Sequence, residues 1–432
     1  MNIVNFNKKA LAWALLPLIM LAGCSQKTSN GLTAASNLKK LGIEEKNLDR
    51  IDSLLATALI NNWMAGATAL VAVNGKVIYD KGFGFRDREY KALMRPTTEF
   101  RIASMTKPIV TAAAMTLVED GKLNLSDKVS KYIPEFANAQ VLASFNEKDT
   151  SYTTVPANKE ITIEDLMTHT SGIGYGFADK RLKLIYQKNK IPDLASADSI
   201  FVLDKMKALG KLPLGVQPDS KFYYGLGIDV LGAVIEVASG KKLDEYVTDR
   251  ILKPLGMADT HFFLPAEKRF RLAVLYKELP SGRLERVAPI TDGYNVNFPI
   301  AGARTYFSGG SGLSSTVEDY AKFLQMILNK GSFNGKQILK PETVAQMTSN
   351  QIGELNVGQN KFGLGFEITT AAGAKNGAKA GKLSWGGIFN TTFWIDPERK
   401  SIAILMTQVY PAIHKAQLFE QFEQLVNDAL DR

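Results

Sequence analysis

Hydrophobic positions follow two periods along the chain, and each period predicts its own kind of element. Between residues 44 and 61, apolar side chains recur at the spacing of one helix face, namely at Leu48, Ile51, Leu54, Leu55, Ala58 and Leu59. This spacing predicts an amphipathic helix. Residues 68–73 and 77–83 have strand character and flank Asn74-Gly75, which predicts a β-hairpin.

Strand patterns return near the C-terminus. They cover residues 364–368, 391–395 and 401–407, with a turn at Asp396-Pro397, and a helical pattern follows at about 413–430. The middle of the chain, about 105–345, carries mostly helical patterns with long loops. The two ends are therefore expected to build a sheet, and the middle to supply helices.

The N-terminus has the features of an export signal. Lys8 and Lys9 precede a short apolar run at 10–21, which ends in Leu21-Ala22-Gly23-Cys24 and resembles the bacterial lipobox. We expect residues 1–23 to be a lipoprotein signal peptide, 24–40 a lipidated flexible tether and 41–432 the folded domain. An ordinary signal peptide with a chance cysteine is the alternative. The expected location is that of an exported bacterial lipoprotein facing the periplasm and held to the membrane through Cys24, and Ser25 favours the outer membrane.

Composition excludes several classes of protein. The chain has 432 residues, 45% of them hydrophobic and 22% charged, and a formal net charge of +9, which is ordinary for a globular protein. With one cysteine it cannot form an internal disulfide, a Cys-based zinc site or an iron–sulfur cluster. We predict no metal and no cofactor, because phosphate-loop, dinucleotide-binding and HExxH motifs are missing from the sequence. Basic residues form no stripe interleaved with aromatics, so no nucleic-acid partner is predicted.

The candidate chemistry lies in a Ser-x-x-Lys tetrapeptide. Three such tetrapeptides occur, at 36–39, 104–107 and 239–242, but only Ser104 opens a long apolar helical run, at 109–120. A serine becomes nucleophilic when a base takes its proton, and a lysine one helical turn away can do so as the neutral amine. A tyrosine hydroxyl nearby can relay the proton, and backbone N–H groups can stabilise the oxyanion.

At this point the sequence resembles a known family. The segment Phe100-Arg101-Ile102-Ala103-Ser104-Met105-Thr106-Lys107-Pro108 is similar to the nucleophile motif of class C β-lactamases, penicillin-binding DD-peptidases and family VIII carboxylesterases. Further similar segments follow in order along the chain, at 163–172, 222–232, 254–257, 309–316 and 385–387. The resemblance covers about 45–430 and implies an α/β (α+β) fold of the β-lactamase/DD-peptidase type. That fold has an antiparallel sheet from both chain ends, flanked by helices, with an inserted, mostly helical lobe.

The resemblance also implies roles for individual residues. Ser104 would be the nucleophile, with Lys107 and Tyr224 taking its proton; Tyr223 remains open as the catalytic tyrosine. Leu226 stands where β-lactamases have an asparagine, and Trp385 stands where they have the lysine of Lys-Thr-Gly.

The remaining implied roles concern the substrate and the oxyanion. The backbone N–H groups of Ser104 and Ile388 would form the oxyanion hole. Lys382 is near Trp385 in sequence and could take over part of the role of the missing Lys-Thr-Gly lysine. The residues expected to bind substrate are Trp385, Gly386, Gly387, Tyr175 and Phe177; for the last two, ordinary core packing is an equal alternative.

The expected activity is hydrolysis of a small-molecule carboxylic ester through an acyl-enzyme. A tryptophan cannot pair with the carboxylate of a penicillin or peptide, but it offers an apolar face to an acyl or alcohol group. Two alternatives stay open: a β-lactamase or DD-peptidase acting on β-lactam-like substrates, and a non-catalytic, lipid-anchored binding protein of the same fold. A Ser–His pair formed by His169 and Ser171, which are two residues apart, is the less favoured arrangement of the site.

Overall fold

The computed structural model describes residues 31–291 and 294–431. Its central sheet has nine strands, which come from both ends of the chain. The strands are β1 (Thr33–Ala34), β2 (Gly66–Val73), β3 (Lys76–Asp87), β4 (Ala92–Leu93), β5 (Lys361–Phe362), β6 (Glu367–Ile368), β7 (Leu383–Gly387), β8 (Thr391–Asp396) and β9 (Ser401–Met406). Their order is β1-β3-β2-β9-β8-β7-β6-β5, with β4 paired to β3. Every pairing is antiparallel except that of β1 with β3. The predicted sheet from both chain ends is confirmed.

The β2–β3 hairpin forms as its sequence predicts. Asn74 and Gly75 both have positive φ, at 50° and 72°. Such a two-residue turn matches the twist of the flanking strands, and asparagine and glycine tolerate it best. All eight residues of β2 are buried, and their side chains alternate between two cores: Leu70 and Ala72 pack on one face, Ala69 and Val71 on the other.

Helices cover both faces of the sheet. They are α1 (Glu45–Ile60), α2 (Thr106–Glu119), α3 (Ile163–Met167), α4 (Lys180–Lys188), α5 (Val202–Gly210), α6 (Gly227–Ser239), α7 (Leu243–Val247), α8 (Lys253–Leu255), α9 (Val317–Leu328), α10 (Pro341–Met347) and α11 (Lys415–Leu430). Helices α1 and α11 pack together on one face, in a core with Trp394. Helices α2 and α9 belong to the larger core on the opposite face, and α2 packs against α6.

The middle of the chain contains more β-structure than the sequence predicts. It has five small two-stranded pairs: Phe100–Arg101 with Ser314–Ser315, Gln140–Phe145 with Tyr152–Pro156, Tyr276–Glu278 with Leu284–Arg286, Ile290–Thr291 with Tyr294–Asn295, and Ser332–Phe333 with Lys336–Gln337. In four of these pairs the strands have two or three residues, which is too short to show a period in the sequence. The strands of the pair Gln140–Phe145 and Tyr152–Pro156 are longer and were missed.

Two further segments differ from their predictions. Only Glu367–Ile368 of the predicted strand 364–368 is a strand, because Gly365 has φ 88° and turns the chain just before it. Thr33–Ala34 pairs with β3, so this part of the expected tether is attached to the sheet. The predicted signal peptide and Cys24 lie outside the described residues. Within the described ranges, no helix is both long and apolar enough to cross a membrane.

Candidate active site

Ser104 lies in a tight turn that leads directly into α2. The turn is a 3-10 helix, Ala103–Met105, and α2 begins at the next residue. Ala103 has φ 43°, in the left-handed region that a non-glycine residue seldom adopts. The surrounding fold fixes this turn, since the hydroxyl of Tyr320 donates to the carbonyl of Met105 at 2.8 Å. The strained turn leaves Ser104 half-buried, while Lys107, one helical turn later, is 1% exposed.

The amine of Lys107 is held by three oxygen atoms. Its Nζ lies 3.3 Å from Oγ of Ser104, 3.0 Å from the hydroxyl of Tyr175 and 2.8 Å from the carbonyl oxygen of Gly310. An ammonium group has three N–H donors, and these three acceptors match them. All three acceptors are uncharged, and among the described residues no carboxylate forms an ion pair with Lys107. The contacts of this amine are therefore hydrogen bonds to neutral oxygen atoms.

The structure separates the two neighbouring tyrosines that the sequence left open. The ring centroid of Tyr224 lies 4.7 Å from Nζ of Lys107, and its buried hydroxyl has no hydrogen-bond partner among the described residues. The hydroxyl of Tyr223 instead donates to the Asp179 carboxylate at 2.6 Å. Burial, together with this hydrogen bond, raises the pKa of Tyr223. Of the two, Tyr224 has its ring beside Lys107 and a hydroxyl without a hydrogen-bond partner among the described residues.

Aromatic side chains form a wall around Lys107 and Tyr224. Trp385 packs edge-on against Tyr224 with ring centroids 5.4 Å apart, and Tyr175 does so at 5.3 Å. Phe177 stacks on Tyr175 at 4.6 Å and is 47% exposed, which places it at the rim. Phe362, which the sequence did not single out, packs edge-on against Trp385 with ring centroids 5.2 Å apart. The predicted substrate-binding aromatics therefore meet at one place, and Tyr175 also hydrogen-bonds Lys107.

The end of β7 lies against the turn that carries Ser104. A methyl group added at Gly387 would lie 2.5 Å from the carbonyl oxygen of Ile102, so only glycine allows the two backbones to approach so closely. One added at Gly386 would lie 2.9 Å from the carbonyl oxygen of Thr391 on the neighbouring strand. Ile388 follows Gly387 directly and packs in the same small apolar cluster as Ala103. This brings the backbone of residue 388 next to the turn of Ser104, as an oxyanion hole requires.

Lys382 does not lie in the site as the sequence suggested. It forms an ion pair with Glu423 on α11, and both side chains are largely buried. A different lysine, Lys415 at the start of α11, reaches the end of β7, where its Nζ donates to the carbonyl of Gly387 at 3.3 Å. Burial lowers the pKa of Lys415.

His169 lies in the wall but makes no Ser–His pair in the described structure. Its ring packs edge-on against Tyr224 at 4.7 Å, and neither ring nitrogen has a hydrogen-bond partner among the described residues. Burial and the nearby charge of Lys107 lower the pKa of His169 well below its ordinary value, which favours the neutral ring. Within 31–291 and 294–431 no cluster of His, Cys, Asp and Glu side chains is arranged to hold a metal ion.

Two residues at the site were missed by sequence reasoning. The carbonyl of Gly310 is one of the three acceptors of Lys107, and Asp229 is a buried acid whose carboxylate accepts the N–H of Gly310. The Gly309-Gly310 pair inside the family segment at 309–316 was a signal for the first. A carboxylate in the otherwise apolar first turn of α6 was a signal for the second.

Comparison with known proteins agrees with this geometry. The model of the beta-lactamase family matches residues 51–424. Esterase EstB of Burkholderia gladioli is 31% identical over 375 residues, which cover 83% of this chain and 89% of the esterase. Lovastatin esterase of Penicillium rubens is 29% identical, covering 80% and 89%. The solved structure of EstCE1, described as a hydrolase with promiscuous acyltransferase activity, is 27% identical with a TM-score of 0.75 and covers 89% of this chain and 99% of its own.

Proposed function

The chain belongs to the beta-lactamase family, and we propose that within it this protein is a serine hydrolase that cleaves carboxylic esters through an acyl-enzyme. The observation that carries the proposal is the contact between Nζ of Lys107 and Oγ of Ser104, 3.3 Å apart, with only neutral acceptors around the amine. The esterase names among the relatives support hydrolysis of esters.

The first half of the reaction forms the acyl-enzyme. Oγ of Ser104 attacks the ester carbonyl carbon as its proton passes to the neutral amine of Lys107. The backbone N–H groups of Ser104 and Ile388 stabilise the negative oxygen of the tetrahedral intermediate. The bond to the alcohol oxygen then breaks, and the alcohol leaves with a proton returned through Lys107 and the free hydroxyl of Tyr224. Proton transfer of this kind contributes about 10²–10⁴-fold to the rate.

The second half restores the enzyme. Water attacks the acyl carbon and gives its proton to the same pair, and Ser104 leaves as a hydroxyl. Two departures from the β-lactamase pattern support an ester over a β-lactam. Trp385 presents an apolar face where a cation would meet the carboxylate of a β-lactam, and Leu226, in place of the polar asparagine, is fully buried.

The test compares the full-length protein with Ser104→Ala, using p-nitrophenyl butyrate as substrate. We expect the rate to fall about a thousandfold, and a fluorophosphonate to label the wild type but not the variant. Equal rates would mean that Ser104 is not the nucleophile. A chromogenic cephalosporin cleaved far faster than the ester would favour the β-lactamase alternative, and no labelling of the wild type would favour a binding protein.

Lipid attachment at Cys24 is a separate proposal. It rests on the lipobox-like Leu21-Ala22-Gly23-Cys24 and makes the bacterial membrane the partner of this protein. Labelling of cells with a radioactive fatty acid tests it. The wild type should take up label and sediment with membranes, whereas Cys24→Ser should do neither; equal labelling of both would contradict the proposal.

A further inference from the structure

Asp229 is a buried acid that accepts hydrogen bonds from the segment that carries Gly310. It is in the first turn of α6, five residues after Tyr224, and its side chain is 1% exposed. One carboxylate oxygen, Oδ1, accepts the hydroxyl of Ser308 at 2.6 Å and the backbone N–H of Gly310 at 3.2 Å. These two hydrogen bonds connect α6 to a segment about 80 residues away in the chain. They position Gly310, the residue whose carbonyl accepts from Lys107 at 2.8 Å through the next peptide unit.

The second carboxylate oxygen faces the same side of Gly310 as the phenol that holds Lys107. A methyl group added at Gly310 would lie 2.3 Å from Oδ2 of Asp229 and 3.0 Å from the hydroxyl of Tyr175. Both oxygens therefore border one small space beside the glycine. Oδ2 is buried and has no hydrogen-bond partner among the described residues. An unsatisfied buried carboxylate oxygen is costly, which indicates that it serves something other than packing.

Charged and titratable groups surround Asp229 on several elements. Burial raises the pKa of this carboxyl, and the hydrogen bonds from Ser308 and Gly310 and the charge of Lys107 oppose that rise. Lys107 comes from α2, whereas Tyr175, Asp193 and Tyr306 come from the loops packed against α6; Asp193 is the other acid in this set. Lys107 is the cation of this group, so a negative charge at Asp229 acts on it through a medium of low dielectric.

We propose that Asp229 is a positioning residue for Lys107: it holds the Gly310 carbonyl on the amine, and its negative charge supports the ammonium that forms when Ser104 loses its proton. The proposal deepens the esterase function given above and rests on it. In the step concerned, the O–H bond of Ser104 breaks, the Oγ–carbon bond to the substrate forms, and the proton moves to Nζ. Asp229 neither gains nor loses a proton. It acts through its position and its charge, and it contacts Gly310 rather than the reacting atoms.

The charge and the position can be separated by two variants. In Asp229→Asn the side-chain oxygen can still accept from Ser308 and Gly310, but the charge is lost. The charge of Asp229 interacts with that of Lys107, and Asp229→Asn removes this support for the positive charge that forms as Ser104 reacts. We therefore expect the acid limb of the pH profile of kcat/KM for p-nitrophenyl butyrate to move to lower pH, and kcat on the plateau to fall at least tenfold with KM little changed. In Ser308→Ala one hydrogen bond is lost and the charge stays, so the acid limb should keep its position.

A third variant covers the case in which Asp229→Asn does not fold. Gly310→Ala leaves every charge in place but pushes a methyl group against Oδ2 and the Tyr175 hydroxyl, and we expect kcat to fall at least tenfold. An acid limb that stays in place in Asp229→Asn, or an unchanged kcat in Gly310→Ala, would overturn the proposal. Ser104→Ala measured in parallel separates the two hypotheses. If it retains activity, the esterase mechanism itself fails; if it is inactive while Asp229→Asn behaves as wild type, only the role of Asp229 fails.

Discussion

Cationic side chains lie at both ends of the stretch from residue 99 to residue 107, and they differ in the groups that contact them. The half-buried Arg271 and Lys268 lie near Glu99, whereas the buried Lys107 lies at the other end. At the far end, Asp259 is held by Arg271 at 2.7 Å and by Lys268 at 2.8 Å. Burial alone would raise the pKa of Asp259, but these two cations outweigh it and hold the pKa at about 2. At the near end, Lys107 has a phenol, a carbonyl and a serine hydroxyl as acceptors.

The two regions differ in the charge of the groups that contact each cation. The carboxylate of Asp259 contacts two cations directly, and these contacts favour its ionised form. Neutral acceptors also orient a lysine side chain, but they favour its charged form less than an adjacent carboxylate does. The buried carboxylate of Asp229 accepts the N–H of Gly310 and forms no ion pair with the amine of Lys107.

The largest expected effect on this comparison comes from removal of Lys107. Lys107→Met should lower kcat for p-nitrophenyl butyrate by about 10²–10⁴-fold, since it removes the group that we propose accepts the serine proton. The matched control is Lys268→Met, which removes a cation that contacts Asp259 and should leave kcat within about twofold. Circular dichroism checks that both variants fold. Similar losses in both variants would show that the two regions do not differ in the way we infer.

The next effect compares the two adjacent tyrosines. Tyr224→Phe should lower kcat about 10²-fold, because it removes the hydroxyl that we propose returns a proton to the alcohol. Tyr223→Phe loses only the hydrogen bond to Asp179, so kcat should stay near that of the wild type while unfolding becomes easier by about 1 kcal/mol. Kinetics and thermal melting on both variants decide the matter. A large kcat loss in Tyr223→Phe alone would reverse the assignment.

A third prediction concerns Glu99, a buried acid near Arg271. Burial raises the pKa of Glu99 to about 8, and the opposing charge of Arg271 only moderates this. An unfolded glutamate titrates near 4.3, so the folded state holds an extra proton between these values and loses stability as pH rises. The loss is at most about 1.4 kcal/mol per pH unit and ends above the folded pKa.

Glu99→Gln tests this sign, because the amide stays neutral at every pH. The free energy of unfolding of the wild type, from urea melts, should decline between pH 5 and 8 more steeply than that of Glu99→Gln. Glu285→Gln, at an exposed glutamate paired with Lys277, is the control and should keep the slope of the wild type. A steeper decline in Glu99→Gln than in the wild type would contradict the prediction.

Local patterns in the sequence predicted much of the fold, because the elements concerned are set by neighbours in the chain. The hairpin at Asn74-Gly75, the apolar face of α1 and the last helix depend on turn chemistry and periodicity. Within the site, the spacing of Ser104 and Lys107 on one helical turn is also local. These features could be predicted from the residues alone.

The rest depends on contacts between distant segments. The Gly310 carbonyl reaches Lys107 across 203 residues and the Tyr175 hydroxyl across 68, and a backbone carbonyl carries no side-chain signature in the sequence. Lys382 was misplaced for the same reason, since its partner Glu423 lies on a helix of the other face of the sheet. Short strands such as Thr33–Ala34 are set by the edge they pair with, not by their own pattern.

The smallest effect concerns the apolar wall that distinguishes the Lys107 region from the ion-pair group. Trp385 makes edge-on contacts with Tyr224 and Phe362, and contacts of this kind contribute about 0.5–1.5 kcal/mol each beyond burial. Trp385→Ala removes these contacts and also the apolar face that we propose meets the substrate, so we expect KM for p-nitrophenyl butyrate to rise about three- to tenfold, with a smaller change in kcat. Trp63→Ala is the matched control, since Trp63 is also half-buried but stacks on His414 at 4.7 Å. It should lower the melting temperature without changing KM. If Trp385→Ala lowered kcat and left KM unchanged, the tryptophan would act on the reacting groups through Tyr224, and the wall would belong to the proton-transfer machinery as well as to the binding of the ester.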